Sequence, residues 1–259
     1  MSLLIYIIIF TLMGGVLSVL AASAILLLPD RHLSNLLPRA VSFAIGAMLS
    51  VSLFGLIPHA FETATPEKIH DLSVTILIGL LSFFLLEKLL IWRHCHSDAC
   101  VAHSHLPTTT NHRVGSLIII GDGIHNFVDG ILIAAAFLTD VNLGIVTSLA
   151  VAAHEIPQEV GDFVVLLHSG YSRAKALLFN VISSITTVFG GVLAYYLLGD
   201  YEHFLPYLLV IAASSFLYIA VADLIPTLHK ETELRSTVEQ MILIGLGVVL
   251  IAWLHGFAH

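Results

Sequence analysis

Residues 3–28 read LLIYIIIFTLMGGVLSVLAASAILLL, with no charged side chain among them. A helix needs about 20 mainly apolar residues to cross the hydrocarbon core of a bilayer. This stretch supplies them. No Lys or Arg precedes it, so it lacks the basic start of a cleaved signal peptide and is expected to be a retained membrane helix. The rest of the chain follows the same pattern. Of 259 residues, 58% are hydrophobic and 11% are Asp, Glu, Lys or Arg, against about 25% charged in ordinary soluble domains. So few charges cannot cover the surface of a soluble fold, which excludes a soluble enzyme and a disordered chain. A net charge of −8 with ten Lys and Arg also argues against nucleic-acid partners. Fifteen His outnumber Lys and Arg together, which a plain membrane anchor does not need.

Eight segments are long and apolar enough to span: Leu3–Leu28, Ala40–Phe61, Leu72–Trp92, Val114–Thr139, Val141–His168, Ala174–Gly199, Phe204–Leu228 and Val238–Phe257. They nearly fill the chain, so residues 1–259 are expected to form one all-α polytopic domain. The connectors after helices 1, 3, 5 and 7 hold Arg31, Arg39, Arg93, Arg113, Arg173, Lys175, Lys230 and Arg235; those after helices 2, 4 and 6 hold only Lys68. Basic loops stay in the cytosol. The odd connectors, including the long segment 93–113, are therefore expected inside and both termini outside. A multi-pass protein of the plasma (inner) membrane, in contact with lipid, is the expected setting.

Helix 2 ends in Leu56-Ile57-Pro58 followed by His59, and helix 7 in Leu224-Ile225-Pro226 followed by Thr227 and His229. These helices run in opposite directions on this topology. Helices 1–3 and 6–8 are thus expected to be an inverted repeat around a central helix 4/5 pair.

Helices 4 and 5 carry most of the polar groups at membrane depth. Helix 4 contains Gly121-Asp122-Gly123-Ile124-His125-Asn126-Phe127-Val128-Asp129-Gly130, and helix 5 contains His154-Glu155-Ile156-Pro157-Gln158-Glu159-Val160-Gly161-Asp162-Phe163. Each charge at that depth costs roughly 2.5–3.5 kcal/mol on insertion scales. Residues three and four apart share a helix face. Asp122, His125, Asn126 and Asp129 therefore form one stripe, and His154 and Gln158 another, with Glu155 and Glu159 beside it. Carboxylates packed together with no basic residue repel unless a cation neutralises them. Imidazole and carboxylate suit divalent transition metals, zinc foremost. Pro157 removes a helical hydrogen bond, a break tolerated where it lines a polar cavity.

These two motifs, with the helix 7 stretch Tyr218-Ile219-Ala220-Val221-Ala222-Asp223-Leu224-Ile225-Pro226 and the His-rich segment after helix 3, resemble the ZIP (Zrt/Irt-like protein) family of divalent-metal transporters. The resemblance implies a binuclear site between helices 4 and 5. Its first metal would sit on His125, Asp129, His154 and the residue at 158. Its second would sit on Asn126, Asp129 and Glu155, with Gln158 in reach and Asp129 bridging. It also implies Zn²⁺ as the transported substrate, with Fe²⁺, Mn²⁺ and Cd²⁺ as alternatives and no catalytic cofactor. It further implies movement toward the cytosol, an elevator-like shift of helices 1, 4, 5 and 6 against the rest, and a homodimer. Gln158 departs from the His or Glu of many relatives and should weaken the first site. Asp122, Glu159, His59, Asp223 and His168 are candidates along the path. The segment 93–113, with His94, Cys95, His96, Cys100, His103, His105 and His112, is a candidate for weak metal capture. Two other readings stand beside transport. His154-Glu155 begins the His-Glu-x-x-His signature of zinc proteases, but Gln158 replaces its second His. The third is a metal sensor that does not transport.

Overall fold

The computed structural model describes residues 2–62, 64–94, 112–198, 202–229 and 233–256. Cys95, His96, Cys100, His103 and His105 of the expected metal-capture segment lie outside this set, as does Lys230. Among the described residues the chain is helical, with no strand. Eight long helices follow one another. Helix α1 runs from Leu3 to Ile25. Helix α2 comprises Asp30–Ser50, a π-helical segment Val51–Leu56, and Ile57–Glu62. Helices α3 (Pro66–His94), α4 (His112–Thr139), α5 (Val141–His168) and α6 (Arg173–Leu198) come next. Helix α7 comprises Leu205–Tyr218, a π-helical segment Ile219–Leu224, and Ile225–Leu228; α8 spans Leu234–Gly256. The eight expected spans are thus all helices. Several extend past their apolar runs, and α2 begins ten residues ahead of Ala40, at Asp30.

Seven of the eight are long and apolar enough to cross a membrane; α5 is the exception. It carries Glu155, Glu159 and Asp162 within about two turns. Its two ligand-bearing turns are enclosed: His154, Glu155 and Glu159 are all buried. The apolar faces of α3 (Leu77, Ile78, Leu81) and α8 (Met241, Ile242, Val249) are exposed instead, as helices bordering lipid should be. Asp140 starts α5 by accepting a hydrogen bond from the Leu143 amide at 2.8 Å, a standard N-cap.

The helices sort into two groups of four. Helix α2 lies along α8, and α3 along α7. The contact is so close that a Cβ on Gly46 would stand 2.0 Å from the Ile244 carbonyl oxygen, and one on Gly247 2.4 Å from that of Phe43. In the other group α4 lies along α6 and α1 along α5. There a Cβ on Gly130 would stand 1.9 Å from the Thr187 oxygen, and one on Gly190 2.1 Å from that of Phe127. Small residues let membrane helices approach this closely. Hydrogen bonds follow the same division. Ser50 donates to Val248 O, and Ser214 to Ile76 O; Thr186 donates to Gly123 O, and Asn180 to Glu159 O.

The pairing of α2 with α8 and of α7 with α3 is what exchanging helices 1–3 with 6–8 demands. The π-helical segments carry the same relation further. A third, Met13–Leu17, lies within α1, but those of α2 and α7 each end at a Leu-Ile-Pro sequence, and in each the Ile amide reaches five residues back: Ile57 N–H to Ser52 O, and Ile225 N–H to Ala220 O. Proline lacks the amide hydrogen and crowds the preceding turn, and a π-turn absorbs that mismatch within a continuous helix.

Candidate metal centre

The i, i+4 spacing of His125 and Asp129 sets both on the α4 face turned to α5, and α5 answers with the adjacent His154 and Glu155. Four ligand atoms meet there. His125 Nε2 lies 3.4 Å from His154 Nε2, 3.3 Å from Glu155 Oε1 and 3.7 Å from Asp129 Oδ2. His154 Nε2 lies 3.3 Å from Asp129 Oδ2 and 3.6 Å from Glu155 Oε1. A tetrahedral zinc with ligands at its usual bond lengths has ligand–ligand edges of roughly 3.3–3.5 Å. Five of the six edges of this group fall within 3.3–3.7 Å.

Burial and hydrogen bonding add to this. Asp129 and His154 are 1% exposed and Glu155 is fully buried. Neither oxygen of Asp129 or Glu155 has a hydrogen-bond partner among the described residues. A buried carboxylate without donors is costly, and a dication between the four groups removes the cost. His154 Nδ1 sits 3.1 Å from Ala150 O. A proton on Nδ1 satisfies that carbonyl and leaves the Nε2 lone pair aimed at the centre, the second-shell arrangement common at metal-binding imidazoles.

Asn126 is buried beside the centre, with its carboxamide already engaged. Its Nδ2 donates to Asp122 Oδ1 at 2.8 Å, and its Oδ1 accepts from Thr187 Oγ1 at 2.7 Å. Asp122 takes a further, short hydrogen bond from the Ser183 hydroxyl. A second group of ligand atoms gathers at Asp122, Glu155 and Glu159, one turn along the helix pair.

Gln158 lies on the wall of a cavity of about 570 Å³ between the start of α2, the second half of α5 and the end of α7. His154 also lines it, as do Asp223 and Thr227 on α7. His168 is exposed at the last turn of α5. His59 lies elsewhere, 5.2 Å ring to ring from His255 of α8.

The sequence reading missed Ser183, Asn180 and Thr187, the α6 residues that orient Asp122, Asn126 and the α5 backbone. The signal was the polar run Ser183-Ser184-Ile185-Thr186-Thr187 ahead of Gly190-Gly191.

A family profile described as "ZIP Zinc transporter" matches residues 93–255. Human "Zinc transporter ZIP4" is 41% identical over 119 residues, 46% of this chain and 18% of that protein. Human "Zinc transporter ZIP10" is 37% identical over 177 residues, 64% of this chain and 21% of that protein. "Zinc transporter ZIP13" of Pongo abelii is 28% identical over 231 residues, 85% of this chain and 66% of that protein. The chain therefore spans about a fifth of the length of the first two relatives.

Proposed function

Because the chain belongs to the ZIP zinc transporter family, we propose that it carries Zn²⁺ across the membrane toward the cytosol through a binuclear centre between α4 and α5. The near-tetrahedral spacing of four donor atoms, two of them buried carboxylate oxygens without hydrogen-bond donors, carries this reading. The first ion sits on His125, Asp129, His154 and Glu155, with Gln158 at the rim as a neutral and weaker ligand. A second ion lies beside it on the same helix pair and shares a carboxylate. Mixed imidazole and carboxylate donors favour Zn²⁺ and leave Fe²⁺, Mn²⁺ and Cd²⁺ as competitors.

The cavity beyond His154 is the release path. It opens at the end of the bundle where α2 begins and α5 and α7 finish, the end that the basic connectors assign to the cytosol. Asp223 and Thr227 line that path, and His168 stands at its end of the bundle. Asp122 and Glu159 lie between the first ion and that end, while His59 belongs to the outer end. The protein works as a homodimer in the plasma (inner) membrane with both termini outside, and it performs no catalysis. Four protein ligands leave a zinc ion here without the open position that hydrolysis needs.

Radioactive zinc uptake by proteoliposomes tests the reading. The intact protein should accumulate zinc, and Asp129→Asn and His125→Ala, each recovered folded, should not. Equal uptake by all three would refute it.

A further inference from the structure

We propose that His59 near the end of α2 and His255 near the end of α8 hold one dication between them, in a capture site at the outer end of the bundle, separate from the centre on α4 and α5. Both side chains belong to the group of α2, α3, α7 and α8, whereas His125 and His154 belong to the other. The role in uptake rests on the reading of the chain as a zinc carrier with this end outside; the binding of the ion does not.

The ring centres of His59 and His255 lie 5.2 Å apart, with the planes inclined at 64°. Those of His125 and His154 lie 5.6 Å apart at 80°, with their Nε2 atoms 3.4 Å from each other. Two imidazoles on one tetrahedral zinc, each at its usual bond length, have ring centres roughly 5 Å apart. The outer pair thus repeats the spacing of the pair at the centre. It repeats the orientation as well. His59 Nδ1 stands 3.0 Å from Gly55 O, one turn back along its own helix, as His154 Nδ1 stands 3.1 Å from Ala150 O. A carbonyl oxygen only accepts, so Nδ1 carries the proton and Nε2 keeps its lone pair for a metal.

The two helices fix the pair. They run side by side in the same direction: Arg39 binds Glu239, a Cβ on Gly46 would stand 2.0 Å from Ile244 O, and Ser50 donates to Val248 O. His59 and His255 continue this row. Helices packed backbone to backbone hold the rings in place before an ion arrives, which lowers the cost of binding. Both imidazoles are half-buried, so ions in water reach them, unlike the enclosed carboxylates of the centre. Glu62 follows His59 by three residues, on the same face of the helix, and is exposed. Glu67 and Asp71 lie in the first two turns of α3, at the same end, with Lys68 as the one base between them. This excess of acid draws cations to the mouth. Two neutral imidazoles select borderline ions such as Zn²⁺, Cu²⁺ and Ni²⁺ over Ca²⁺ and Mg²⁺, which take oxygen ligands. Two protein ligands hold an ion more loosely than the four of the centre do, as a station that must pass its ion inward requires.

Metal-stripped full-length protein in detergent, titrated with Zn²⁺, tests the assignment. His59→Ala and His255→Ala should each weaken the binding of one zinc ion at least about tenfold, the lower end of what even an outer-shell change costs a metal site. The double variant should lose no more than either single one, because both rings serve the same ion. His125→Ala should keep that ion. In proteoliposomes the zinc concentration that half-saturates uptake should rise several-fold in both single variants. Circular dichroism and elution volume check the fold, and His59→Gln replaces His59→Ala if that variant does not fold. Unchanged zinc binding in the folded His59 and His255 variants, or losses that add in the double variant, would overturn the proposal, since the rings would then be merely packed or would act separately. Loss of the ion with unchanged half-saturation would overturn the capture role. A failure of the intact protein to take up zinc would instead overturn the carrier reading and leave the binding result standing.

Discussion

Asp129 Oδ2 on α4 lies 3.3 Å from His154 Nε2 on α5, and among the described residues neither Asp129 oxygen has a hydrogen-bond donor. The contact joins the two helices through a group that is uncomfortable without a cation. Asp129→Asn should therefore raise the thermal midpoint of metal-free protein, since a neutral amide replaces a buried charge. The same change should abolish the rise that zinc produces in the intact protein. That rise reflects about 2.7 kcal/mol when zinc is present at a hundredfold excess over its dissociation constant. Differential scanning fluorimetry with and without zinc reads both effects.

Gln158 is the simplest place to alter grip. Gln158→His adds an imidazole on the cavity wall next to His154. Zinc affinity should rise on the order of tenfold, comparable to other single changes around metal sites, and maximal uptake should fall because release slows. Parallel equilibrium binding and initial-rate uptake separate the two; tighter binding with faster uptake would contradict the placement of Gln158 on the exit side.

Packing predicts a sharp contrast between two glycines. A Cβ on Gly130 meets the Thr187 carbonyl at 1.9 Å, whereas one on Gly245 meets nothing within 4 Å. Gly130→Ala should force α4 and α6 apart and lower the yield of folded protein. Gly245→Ala should stabilise α8 by about 0.5–1 kcal/mol. Unfolding midpoints in denaturing detergent mixtures give the comparison.

Arg39 in the third turn of α2 and Glu239 in the second turn of α8 are joined at 2.5 Å, yet their side chains are 50% and 43% exposed. Exposed pairs contribute about 0.2–1 kcal/mol and are screened by salt. Glu239→Gln should thus shift the unfolding midpoint slightly at low ionic strength and hardly at all at high, with zinc uptake unchanged.

Orientation has its own test. A cysteine introduced at Ser172, exposed in the turn after α5, should react with an impermeant maleimide only from the cytosolic side. Labelling from outside would reverse the assigned topology and with it the direction of transport.

Much of this was readable from the residues alone. Hydropathy located all eight helices, because each must offer lipid or neighbouring helices an apolar surface. The helical period placed His125 with Asp129, and the absence of any nearby base made a cation the natural counterpart. Helix ends were less visible. Apolar runs mark where a helix meets hydrocarbon, not where its hydrogen bonding stops, so the polar first turns of α2 were missed. There Ser42 donates to the carbonyl of Pro38, inside the helix. The π-helical segments were also hidden, since Leu-Ile-Pro signals a disturbance without saying how the helix absorbs it. The roles of Ser183 and Thr187 were ambiguous because hydroxyls in membrane helices commonly bond to their own backbone. Ser183 does so as well as reaching Asp122.

The division into two four-helix groups has a mechanical meaning. Inside each group, a carbonyl of one helix sits where a glycine's neighbour allows no side chain, and sliding would drive backbone into backbone. Between the groups, a Cβ on Gly55 of α2 would meet the Leu143 methyl of α5 at 3.1 Å, besides Val51 of its own helix at 3.6 Å, and a rotamer change of Leu143 relieves that contact. Both histidines of the centre lie in one four-helix group, while Asp223 and Thr227 belong to the other. A slip of one group against the other would carry His125 and His154 past Asp223 and Thr227 while leaving the spacing of His125, Asp129, His154 and Glu155, all on α4 and α5, unchanged.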